Sequence, residues 1–97
     1  MPSNAHALHR EAAADAALIA DLRQRYEALT QRQKDVLLRV VDGEANKVIA
    51  IELGLAEKTI KLHRGKVMTN MGAGSLAELV KMCVLLGIGS RPSLVAS

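Results

Sequence analysis

Ninety-seven residues allow one compact domain, and an apolar share of 49% argues against a chain left disordered for want of a core. Tyr26 is the sole aromatic residue, which argues against a single-strand binder that stacks bases on aromatic platforms. The formal charge is +3, from 13 basic and 10 acidic side chains, so its distribution matters more than its size. Residues 1–30 set Arg10, Arg23 and Arg25 against Glu11, Asp15, Asp21 and Glu27, so the basic excess lies further along, much of it between Lys58 and Lys66. Cys83 is the only cysteine, so no internal disulfide can form and a reducing cytoplasm is the expected compartment. No apolar run reaches membrane-spanning length, and Met1-Pro2-Ser3-Asn4 lacks the basic start and apolar stretch of an export signal.

Residues 5–28 contain neither Gly nor Pro and are rich in Ala, Leu, Glu, Asp and Arg, which predicts one long helix. Leu8, Ala12, Asp15, Ile19, Leu22, Tyr26 and Leu29 recur at alternating spacings of four and three, a heptad seam. The seam suits either a helix lying on its own domain or a connector that pairs with a second copy. A second helix is predicted from Thr30, because Thr30-x-x-Gln33 is a capping box, with Val36, Leu37, Val40 and Val41 on its inner face and Gly43 ending it.

A short helix follows over about 46–53, with Ile49, Ala50 and Leu53 inward and Asn46 and Lys47 exposed at its start. Gly54-Leu55-Ala56 makes a tight turn into a helix over about 57–71, apolar at Ile60, Val67 and Met71 and basic on the side of Lys58 and Lys61. Ser75-x-x-Glu78 opens a final helix over about 75–87. Leu76, Leu79, Val80 and Cys83 are its expected core face, and Met82, Leu85 and Leu86 its surplus apolar surface. A helix apolar nearly all round is buried on two sides, so a second subunit is expected to meet that surplus. There is no strand candidate, and the expected class is all-α.

Two short helices joined by a tight turn, the second basic on its outer side, form a helix-turn-helix pattern. Such a second helix enters the major groove, its outward side chains meeting base edges while cations and helix-start amides meet phosphates. From Leu29 to Ile88 the chain also resembles the LuxR/FixJ-type (GerE-like) helix-turn-helix of bacterial response regulators. The resemblance is carried by Leu29-Thr30-x-Arg32, Val36-Leu37, Gly43, Asn46-Lys47-x-Ile49-Ala50-x-x-Leu53, Thr59-Ile60-Lys61-Leu62-His63-Arg64 and Ser75-Leu76-Ala77-Glu78-Leu79-Val80.

The resemblance implies a four-helix LuxR-type domain over 29–88, preceded by a linker or signalling helix over 1–28 and followed by a flexible tail over 89–97. It implies phosphate contacts from Asn46, Lys47 and Thr59, base contacts from Lys61 and Leu62, and a third groove-facing position at Gly65. Lys58, Arg64 and Lys66 complete the basic surface. The implied partners are double-stranded DNA, a second copy at least on DNA, and RNA polymerase. No membrane, cofactor or metal is implied, and no enzyme activity. Pairing is expected through Met82, Leu85 and Leu86, with Ile19, Leu22 and Tyr26 as a second surface. Nothing in the chain resembles the acidic pocket of a phosphoryl receiver.

Three positions depart from the family's habit. Ala45 and Ala56 stand where Ser usually caps a helix, each loss typically worth about 1 kcal/mol. Gly65 inside a helix costs roughly another 1 kcal/mol relative to Ala. A second reading therefore stays open: a module that pairs with a full-length regulator and inhibits it through the heptad seam. Lys58, Lys61, Arg64 and Lys66 would then be a solvated face only. His6 and His9 lack further metal ligands, His63 suits packing or a phosphate contact, and Cys83 behaves as a small hydrophobe.

Overall fold

Each helix starts and stops where its end groups find partners. The computed structural model describes residues 2–89, with side chains from residue 14 onward. Its elements are α1 (Pro2–Glu27), α2 (Gln31–Val41), α3 (Asn46–Leu53), α4 (Glu57–Met71) and α5 (Leu76–Leu86), with no strand among the described residues. The predicted capping box of α2 is closed. The Gln33 amide donates to Thr30 Oγ1 at 3.1 Å, and the Thr30 amide donates to Gln33 Oε1 at 3.0 Å. Gln33 is thereby a buried polar residue with its hydrogen bonds made. The second box is half closed: Glu78 N–H donates to Ser75 Oγ at 3.2 Å, but the Glu78 carboxylate accepts from the Gly74 amide at 2.6 Å instead.

The turn between α3 and α4 decides where α4 points. Gly54 sits at φ +67°, and the chain closes with Leu55 N–H on Ala50 O at 2.9 Å and Gly54 N–H on Ile51 O at 3.3 Å. This paired closure satisfies two helix-end carbonyls and needs a left-handed residue, which glycine supplies without a Cβ clash. α4 packs chiefly on α2 and α3, and α1 lies across α4 and α5. One aliphatic core results, centred on Val36, Leu37, Ile49, Ile60, Met71 and Leu79, each 0% exposed.

Burial places Leu22 and Leu86, both expected at pairing surfaces, in the core of their own domain. Leu22 is 2% exposed and lies in the core of its own domain, with Ile19 and Tyr26 packed half-buried beside it. The Lys34 ammonium lies 5.0 Å from the Tyr26 ring centre and 3.6 Å from Glu27, which holds α2 against α1. The later half of the seam therefore lies on its own domain, the first of the two arrangements the periodicity allows. Leu86, expected at a subunit contact, is 4% exposed and belongs to the core with Leu79 and Cys83. Leu76, expected in the core, is exposed instead. At about 100° per residue, the face through Leu79, Cys83 and Leu86 is turned roughly 40° from the expected one, toward the half-buried Met82. The side chains of His6, Leu8, His9 and Ala12, and residues 90–97 of the expected tail, lie outside the described residues.

Two arginines of α1, 46 and 63 positions from their partners, tie the long helix down. Arg25 Nη1 donates to the Met71 carbonyl at 2.9 Å, and Arg23 Nη2 donates to the Leu86 carbonyl at 2.9 Å. Each caps the C-terminal end of a helix, where the carbonyls lack intrahelical donors and the macrodipole favours a cation. Arg25 is held in turn by Asp21 at 2.8 Å.

Candidate nucleic-acid interface

α4 has two chemically distinct sides. Ile60, Val67 and Met71 are at most 1% exposed and anchor it to the body. Lys58, Lys61, Leu62, Gly65 and Lys66 are exposed on the other side, with Thr59 half-buried at its edge. Leu62 is 58% exposed, although it is a large apolar side chain on a well-packed helix. None of Lys47, Lys58, Lys61 and Lys66 has an ion pair among the described residues. The ammonium groups of Lys58, Lys61 and Lys66 keep an unneutralised positive field along α4, and Lys47 adds to it from the start of α3. Thr69 and Asn70 continue this surface and border a shallow recess with Lys61, Leu62, Gly65 and Lys66. Sequence reasoning passed over both, although Thr69 falls one helical turn beyond Gly65, where the periodicity points.

Asn46 and Arg64 are brought together differently from the expected pair of independent phosphate contacts. Arg64 Nη1 donates to Asn46 Oδ1 at 3.2 Å, joining the start of α3 to the middle of α4. The bond orients the half-buried guanidinium, whose remaining donors stay available. Lys47 stands exposed at the first turn of α3. Ala45 and Ala56, in extended backbone before α3 and α4, provide no side-chain cap, so the first amides of both helices have no acceptor from the N-cap side chain.

A separate charged cluster stiffens the scaffold. Arg39 of α2 hydrogen-bonds Glu52 of α3 and lies 3.8 Å from Glu44 in the connecting loop. A hydrogen bond with Glu52, followed by burial, raises the Glu44 carboxyl above its usual range. The same bond, aided by Arg39, lowers Glu52. His63 is half-buried, and its Nδ1 is buried without a hydrogen-bond partner among the described residues. Cys83 is buried in the core, where burial pushes its thiol up. Among the described residues no group of three or more His, Cys, Asp or Glu is placed to hold a metal ion, and no helix is long and apolar enough to cross a membrane.

The family model described as "Bacterial regulatory proteins, luxR family" matches residues 27–83, which span the helix-turn-helix and its supporting helices. The chain belongs to the luxR family. Nodulation protein W of Bradyrhizobium diazoefficiens is 46% identical over 73 residues, covering 75% of this chain and 32% of that protein. Transcriptional regulatory protein FixJ of Azorhizobium caulinodans is 44% identical over 69 residues, covering 71% of this chain and 33% of its own length. Among solved structures, full-length FixJ from B. japonicum superposes with a TM-score of 0.71 at 37% identity, over 78% of this chain and 37% of that one. The response regulator StyR gives 0.70 at 38% identity, over 79% and 38%. The chain thus spans about a third of the length of these relatives. It carries a LuxR-type helix-turn-helix DNA-binding domain homologous to response-regulator output domains.

Proposed function

We propose that this chain binds double-stranded DNA in a sequence-specific way to regulate transcription, as the output domain of a two-component regulator. The observation that carries the reading is the outer side of α4, where Lys58, Lys61 and Lys66 stand exposed, without carboxylate partners among the described residues, around an exposed Leu62. Burial of the opposite side through Ile60 and Val67 supports it, because the rod is held rigidly while its basic side faces outward. Lys61 and Leu62 read base edges, with Gly65 at the third groove-facing position. Asn46, Lys47, Lys58, Thr59, Arg64 and Lys66 contact the backbone, Asn46 by orienting Arg64. The reading assigns no catalytic step, and its DNA partner places the chain in the cytoplasm.

Two copies engage half-sites about one helical turn apart, roughly 34–36 Å. They meet through α5, where Leu85 is 47% exposed beside the half-buried Met82. The inhibitory-module alternative is weakened by the burial of Leu22 and the packing of Ile19 and Tyr26 on their own domain, since those side chains would be its working surface. Titration of duplexes against salt tests the function. Neutralising about five phosphates gives a log–log slope near −4.5, whereas a slope close to zero rejects the reading.

A further inference from the structure

We infer that the outer side of α4 holds a seat for the C5 methyl group of a thymine, formed by Leu62 and the gap over Gly65. This rests on the duplex binding proposed above and names what that surface reads. Gly65 is the one glycine inside a helix among residues 14–89, and nothing in the fold requires it. Its φ is not positive, unlike that of Gly43, Gly54, Gly72 and Gly87. Beyond its sequence neighbours and its own helical backbone, nothing lies within 4 Å of the point its β carbon would occupy. Glycine is the poorest helix former after proline, so neither helix formation nor internal packing accounts for it here. Close approach by something outside the protein does.

The walls of the gap say what approaches. Lys61 and Leu62 lie one turn before Gly65, Lys66 beside it and Thr69 one turn after, and all border the same recess. Leu62 is the one large apolar side chain exposed on α4 among the described residues. The major groove offers hydrogen-bonding edges at every base pair, and its one apolar feature is the thymine C5 methyl. Lys66, at the edge of the recess, draws the sugar-phosphate backbone close and brings that methyl within reach of Leu62. Lys61, next to Leu62, is placed to donate to guanine O6 and N7 on an adjoining pair.

The test uses duplexes selected from a random pool by this chain, with each thymine replaced in turn by uracil, which lacks only the methyl. At one thymine in each half-site, uracil is expected to lower affinity about fourfold, as burial of one methyl group implies. In Leu62→Ala and in Gly65→Ala that thymine-to-uracil ratio falls toward one. Gly65→Ala has space for its methyl, so its urea midpoint is expected to hold or rise, which separates a filled seat from a damaged fold. At the same position, paired with guanine, 5-methylcytosine binds better than cytosine if the methyl is what is read; equal binding overturns the inference. Duplex binding that is indifferent to uracil at every thymine also overturns it and leaves the functional reading standing. No duplex binding by the unaltered chain removes both.

Discussion

The helices that build the body and the helices that face outward begin in opposite ways. α2 and α5 start with Thr30 and Ser75, whose hydroxyls accept backbone amides of their own helix. α3 and α4 start with Ala45 and Ala56 in the same extended backbone but with no acceptor. Body helices close their own ends, whereas the helix-turn-helix leaves amide donors at both entrances. Helix-end donors without a side-chain cap are commonly met by water or by a ligand. A phosphate oxygen is the stronger partner, because the helix macrodipole adds to the hydrogen bonds. Helix starts that are deficient by stability alone are those suited to meet an anion.

The sharpest way to break this contrast is to compare the two sides of α4. Ile60→Ala, on the buried side, is expected to cost about 2–5 kcal/mol in urea unfolding, whereas Leu62→Ala, on the outer side, changes stability by less than about 0.5 kcal/mol. Equal losses would mean that α4 has no free side. Next in size, Lys61→Ala should lower affinity for the preferred duplex by about 1–3 kcal/mol and flatten preference between sequences, with the fold unaffected. A titration showing the same loss on every sequence would make Lys61 a backbone contact only. Thermal melts sharpen the contrast in caps: Thr30→Ala should cost about 1 kcal/mol, and Ala56→Ser should add up to about 1 kcal/mol. If neither changes the midpoint, the difference between helix starts has no energetic weight. The smallest effect concerns Cys83. Its folded thiol is raised by burial, so its stability contribution is complete below the unfolded thiol pKa and is lost progressively as pH rises from there through the higher folded value. At neutral pH a thiol reagent should label the native chain far more slowly than the chain in urea, and equal rates would contradict the burial.

Much of the architecture was legible because its signals are local. Thr30-x-x-Gln33 marked the start of α2, Gly54 the turn into α4, and the spacing of Ile60, Val67 and Met71 the inner side of the outward rod. The seam of α1 was legible as a stripe but not as a destination, because a stripe through Ile19, Leu22 and Tyr26 fits a second helix or its own domain equally well. α5 misled for a related reason. With apolar residues nearly all round, its periodicity did not choose between a face that includes Leu76 and one that includes Leu86. Arg23 and Arg25 resembled ordinary surface charges, since the carbonyls they cap belong to the far ends of α5 and α4. The Asn46–Arg64 bond was hidden in the same way: each residue was noticed, but their meeting depends on how α3 crosses α4.

Composition, caps, glycines and periodicity alone determined that this chain is a run of helices with a basic outer rod, because each of those signals acts within a turn or two of the chain. The packing of the helices decided the rest: which apolar stripes became core, which arginines closed which helix ends, and that Arg64 met Asn46. Burial and long-range hydrogen bonds depend on distances across the fold, and sequence spacing does not contain them.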